Sequence, residues 1–189
     1  MLVWLVFNVG LAVAVFATAA IAGNAPEVAV KGAAPAICYF APAQSGAASN
    51  MTLSSASASQ ASLVINQLVD PANAQLRPAS ISLSLNGICN NAHTFTIQSN
   101  GGGLQTNTGA TPGFSNRVDY SASLLWGGSS SSVQTSGIAG QSSPTAMVPG
   151  AFAGTLQLQI TVEAGGANWL PLLAGTYSDN IVITFKPQM

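Results

Sequence analysis

Residues 156–163, LQLQITVE, put Leu156, Leu158, Ile160 and Val162 on one parity and Gln157, Gln159, Thr161 and Glu163 on the other. An extended chain turns successive side chains to opposite faces, so this run describes a strand with one buried face and one wetted face. The same period of two recurs at Ile81, Leu83, Leu85, at His93, Phe95, Ile97, and along Val118, Tyr120, Ala122, Leu124, Trp126. Beyond residue 23, no stretch of ten or more positions carries the 3.6-residue apolar spacing of a helix. Apolar surface arranged this way is hidden by packing sheet on sheet, and the expectation is an all-β sandwich. The 189 residues suffice for one domain with a core of its own.

Only 5% of the residues are charged, four Lys plus Arg against five Asp plus Glu, where soluble domains average about 25%. No basic field exists to hold nucleic acid. The surface is built instead from Ser, Thr, Asn, Gln and Gly, which fits a protein outside the cytosol or one packed among other subunits. Residues 2–22 are almost wholly apolar and end in Ala20, Ile21, Ala22, a small-x-small pattern that a signal peptidase cuts. Residues 1–22 therefore read as a secretory signal peptide without the usual basic start. A membrane anchor is the alternative, because the run is near the ~20 residues that span a bilayer.

Cys38 and Cys89 are the two cysteines. In an exported chain such a pair most simply forms one disulfide, whose loop of about fifty residues contributes roughly 4 kcal/mol in the chain-entropy account. Two separate buried thiols are the other reading. A zinc site needs three or four closely spaced ligands, which two distant cysteines and a single histidine do not offer.

Residues 23–35 form a leader in which Val28 and Val30 share one parity and Glu27 and Lys31 the other. It reads either as a lone strand or as a flexible Ala-rich segment. Residues 36–41 are a short apolar run around Cys38. The Ser- and Ala-rich tract 44–62 has little apolar patterning and is expected to be loop with one short strand. Strands are expected at 63–69 and 81–85, with Asn86 and Gly87 supplying turn chemistry before Cys89. Further strands are expected at 93–97, ended by the SNGGG of residues 99–103, at 118–126 and around Val133. In residues 177–185 Tyr177, Asp179, Ile181, Ile183 and Phe185 face one way, and Ser178, Asn180, Val182 and Thr184 the other.

No catalytic constellation stands out. His93, the single histidine, shares the parity of Phe95 and Ile97 and reads as a partly buried structural residue. Glu27, Asp70, Asp119, Glu163 and Asp179 are scattered, and solvated strand faces account for them without a glycosidase pair. Gly101, Gly102 and Gly103 lack the Lys and helix of a phosphate loop and read as a hairpin turn. Asn50, Met51, Thr52 matches a glycosylation acceptor, a pattern frequent by chance. Trp126 and Trp169 end apolar runs, where they fill the edge of a core more often than they stack on a sugar. No enzymatic activity and no cofactor are expected.

The closing residues 174–185, AGTYSDNIVITF, resemble the terminal signature of the spore coat protein U domain family, to which archaic chaperone-usher pilins belong. The order of other features is similar: a signal peptide, a short leader, Cys38 in an early strand, LNGICN with Cys89 at the end of a later one, and RVDYSASLLWG in the middle. The resemblance spans residues 25–185. The chain departs from it after Cys38, where YFAPAQSGAASN lacks a Phe-Gly pattern, and in its uncharged start.

The resemblance implies an incomplete immunoglobulin-like sandwich in residues 36–189, lacking a last strand and so carrying a hydrophobic groove. Tyr177, Ile181, Ile183 and Phe185 would border that groove, and a neighbour's leader would fill it as donor strand with Val28 and Val30 inward. Main-chain hydrogen bonds and pockets for alternate side chains would hold the joint, though two buried valines supply only about 3–6 kcal/mol. The implied partners are a periplasmic chaperone, an outer-membrane usher and copies of this or related subunits. The implied location is the periplasm and then the surface of a Gram-negative cell, serving adhesion or biofilm formation. The competing reading is a secreted carbohydrate-binding adhesin that uses Trp126 and Trp169 and does not polymerise.

Overall fold

The computed structural model describes residues 30–164 and 170–188, and among these the ordered elements are strands, with no helix. Ala36–Met189 forms one compact unit. The strands are β1 (Cys38–Phe40), β2 (Gln44–Ser49), β3 (Met51–Ala56), β4 (Ala61–Ile65), β5 (Ala79–Cys89), β6 (His93–Ser99), β7 (Leu104–Gln105) and β8 (Arg117–Val118). They continue with β9 (Ser121–Trp126), β10 (Ser129–Gln134), β11 (Gln141–Ser142), β12 (Ala146–Val148), β13 (Phe152–Val162) and β14 (Ile181–Pro187).

Two sheets carry the fold. In the first, the order is β1, β5, β13, β9, β10, with β2 also on the β1 side of β5. β5 and β13 pair antiparallel over their whole length, from Phe152 opposite Cys89 to Val162 opposite Ala79. Of the alternating set read from the sequence, Ile81, Leu83, Leu156, Leu158, Ile160 and Val162 are buried, and Leu85 is half-buried against the same core. In the second sheet β6 is central, with β11 and β12 along one edge and β14 along the other. Its Phe95 and Ile97 close the core from the opposite side, at 1% and 0% exposure. The sandwich is closed on one flank, where β10 packs on β6 and β12.

Several local expectations are corrected. The 44–62 tract is not loop with a short strand: it holds β2, β3 and the start of β4. Every residue of β2 is exposed, so this strand is held by its backbone ladder to β5, which leaves no apolar pattern to read. Asn86 and Gly87 do not turn the chain but lie inside β5. Gly87 is there for space, since a Cβ would sit 2.3 Å from the Phe40 ring. The 118–126 segment is broken, with Val118 in β8 and β9 starting at Ser121. Between them Asp119 pairs with Arg117 at 2.9 Å and Tyr120 donates its N–H to Thr135 Oγ1. The last strand starts at Ile181, so Tyr177 and Asp179 precede it.

Candidate functional site

The flank opposite the closed one is built by β14 on the second sheet and by β1 and β2 on the first. Among the described residues β14 pairs with β6 alone, and β1 and β2 pair with β5 alone. Both edges therefore carry unspent backbone hydrogen-bonding groups on their outer sides, a template for a further strand. The side chains tell the same story. Ile181, Ile183 and Phe185 point inward and pack on the core, yet each is only half-buried, while the residues opposite them on β6, Ser99, Ile97 and Phe95, are fully buried.

One end of this flank is plugged by aromatics. Phe40 on β1 reaches across to Phe185 on β14, ring centroids 4.5 Å apart, and meets Trp126 edge-on at 5.1 Å. Phe152 also packs at right angles on Trp126, at 4.8 Å. Beneath them His93, fully buried, accepts the Trp126 indole N–H on Nε2 at 2.6 Å, and its Nδ1 lies 2.8 Å from the Asn91 carbonyl. The network calls for the tautomer with its proton on Nδ1, and it occupies both ring nitrogens. His93 is more deeply buried than its parity alone implies.

Cys38 and Cys89, a register pair of β1 and β5, form a disulfide that fastens β1 beside this plug. Their sulfurs and a His93 nitrogen lie within 4.8 Å of one another. Tied up in the disulfide, the sulfurs present no thiolates to a metal.

The start of β14 is anchored by Asp179, which is no solvated strand residue. Its Oδ2 accepts Ser99 Oγ–H at 2.5 Å, Tyr120 O–H at 2.7 Å and the Gly103 N–H at 3.2 Å. Its Oδ1 accepts the N–H groups of Gly101 and Asn180, each at 2.7 Å. Gly101 and Gly103 thus do what a glycine-rich anion loop does, but the anion is the chain's own carboxylate, while the Gly102 N–H donates to Ser99 Oγ at 2.8 Å. Burial pushes the Asp179 carboxyl up, and the donors from Ser99, Tyr120, Gly101 and Asn180 outweigh it, holding the group below the ordinary carboxyl value. Burial, with the neighbouring Asp179 carboxylate, pushes the Tyr120 phenol well above its usual range despite the Ser99 hydrogen bond.

Of the residues expected at the groove edge, Ile181, Ile183 and Phe185 are brought together on β14. Tyr177 lies outside the strand, its hydroxyl between the carbonyls of Leu173 and Ser115 at 2.9 and 3.1 Å. Val28, residues 1–22 and Trp169 lie outside the described residues. Val30 is 81% exposed and residues 30–35 form no strand. Trp126 is completely buried, which withdraws it as a sugar platform. Phe40 and Asp179 were not singled out from sequence, although Asp179 carried a signal: it shares the inward parity of Ile181 and Ile183, where a carboxylate must find donors. No family model matches this chain, and neither does any curated protein or solved structure.

Proposed function

We propose that this chain is an exported structural subunit of a surface fibre of the chaperone-usher type, an incomplete immunoglobulin-like sandwich completed by a strand lent from another polypeptide. One observation carries the reading: among the described residues β14 is an edge strand whose inward Ile181, Ile183 and Phe185 stay half-exposed beside a second open edge on β1 and β2. A strand added at that flank would bond to the free edge of β14 and bury those three side chains at once. In the fibre the lender would be the leader of a neighbouring copy, with Val28 and Val30 inward. Before assembly it would be a periplasmic chaperone, with an outer-membrane usher at the exit. The near absence of charge fits a body packed between neighbours. The resemblance of residues 174–185 to pilin endings points the same way.

Two experiments test it. Deleting residues 23–35 from the processed chain is expected to abolish polymerisation while leaving the complex with the chaperone intact; fibres unchanged by the deletion would rule the leader out. A synthetic peptide of residues 24–36, added to the processed monomer, is expected to slow amide exchange along β14. Exchange in β14 as slow as in β6 without any partner would remove the basis of the reading.

A further inference from the structure

The outer face of the first sheet has a character of its own, independent of the open flank. Across β5, β13, β9 and β10 the register aligns Ser84, Gln157, Leu125 and Ser130 in one row, and Ser82, Gln159, Ser123 and Ser132 in the next. Seven of these eight positions are uncharged hydrogen-bonding side chains and none is ionisable. None of the seven spends its hydroxyl or amide on another part of the chain among the described residues. On one side the neighbouring row differs, because there Thr155 and Asn86 satisfy one another at 3.0 Å, and on the other Ser80, Thr161, Ser121 and Gln134 continue the polar face. Ser82, Ser84, Ser123, Ser130, Gln157 and Gln159 of these rows line a shallow depression of about 490 Å³, which continues to Gly46 at the irregularity of β2.

We propose that this face binds an uncharged polyhydroxylated polymer, a neutral polysaccharide lying across the strands. The chemistry disfavours the other partner classes. Nucleic acid and acidic glycans need cations, and the rows hold none. A protein partner would be anchored on aromatics or Arg, and the one apolar side chain offered is Leu125, 44% exposed. A bilayer surface needs an apolar or basic face. What remains is a ligand that is itself an array of hydroxyls, each donor and acceptor at once, as the Ser hydroxyls and Gln amides are. The geometry agrees: strands lie roughly 4.7–4.9 Å apart, close to one pyranose step of an extended chain, so each successive sugar meets the polar side chains of the next strand. Leu125 supplies a small apolar contact for one sugar ring.

Affinity electrophoresis of the processed, disulfide-bonded chain through gels containing hydroxyethyl cellulose, amylose, galactomannan or dextran tests this, with heparin as the charged control. At least one neutral polymer is expected to retard the protein, equally at low and at high salt. The double variant Gln157→Glu, Gln159→Glu puts repelling, strongly hydrated charges into both rows on an outward face, and is expected to bind about tenfold more weakly, the value of one to two hydrogen bonds. Its unchanged melting temperature would show that the fold is intact. The conservative pair Gln157→Asn, Gln159→Asn is expected to retain most of the binding. No retardation by any neutral polymer, retardation by heparin alone, or retardation untouched by the Glu pair would each overturn the proposal. A Glu pair that altered only self-association would overturn it too, by making the face a contact between copies. Fibre formation by the Glu pair is expected to be normal, so a failure here leaves the reading of the open flank standing.

Discussion

β6 and β14 lie side by side in one sheet, bonded residue for residue, and yet they live in different environments. Ile97 is completely buried; Ile183, directly opposite it, is not. The residue types are the same, the strand geometry is the same, and both point into the core. The difference is that, among the described residues, β6 has neighbours on both edges and β14 on one. Burial of a side chain in a sheet is therefore set by the strand beside it as much as by its own hydrophobicity, and the half-buried apolar row of β14 is the observation on which the proposed strand addition rests.

That comparison is broken most severely by truncation. Ile97→Ala should cost about 2–5 kcal/mol, the usual range for emptying a closed core, and Ile183→Ala about half as much in the isolated chain; urea unfolding of both variants measures the gap. Equal costs would mean that β14 is already covered. With the 24–36 peptide bound, the cost of Ile183→Ala should rise toward that of Ile97→Ala.

Reducing the disulfide comes next. The bond fastens β1, and with it Phe40, which plugs one end of the open flank against Phe185. Its loss should lower stability by roughly 4 kcal/mol in the chain-entropy account. It should also speed amide exchange at the Phe185 end of β14 more than at β13.

The smallest effect sharpens the role of Asp179, which ties the entry of β14 to residues up to 80 positions away. Asp179→Asn should cost about 1–2 kcal/mol near neutral pH, a charge-assisted network discounted for its partial exposure. Because the folded-state pKa is lowered, the carboxylate's contribution is present in full above its ordinary value of 3.8 and is lost as pH falls from there through the folded-state value. Wild type and Asn variant should accordingly converge in acid, and a difference that persisted at pH 2 would assign the cost to packing.

Much of this architecture was legible from period alone. The inward sets of β5, β6, β9 and β13 match the alternation from Ile81 to Val162 residue by residue, because pointing in or out is a local property of an extended backbone. Where no apolar pattern existed, as in the fully exposed β2, sequence was silent. Asn86 and Gly87 misled, since a turn-forming pair looks the same when a glycine serves only to admit the Phe40 ring. The carboxylate of Asp179 passed for a solvated group because its donors are a glycine loop and a tyrosine from distant parts of the chain.

By itself, then, the order of residues determined that this protein is built of strands, which face of each is apolar, and that its surface is neutral and rich in hydroxyls. Only the tertiary structure decided which strand lies beside which, that Trp126 and His93 share a sealed pocket, and that β14 has one neighbour among the described residues. The physical reason is that alternation is written within a strand, whereas pairing and burial are settled by contacts between residues far apart along the chain.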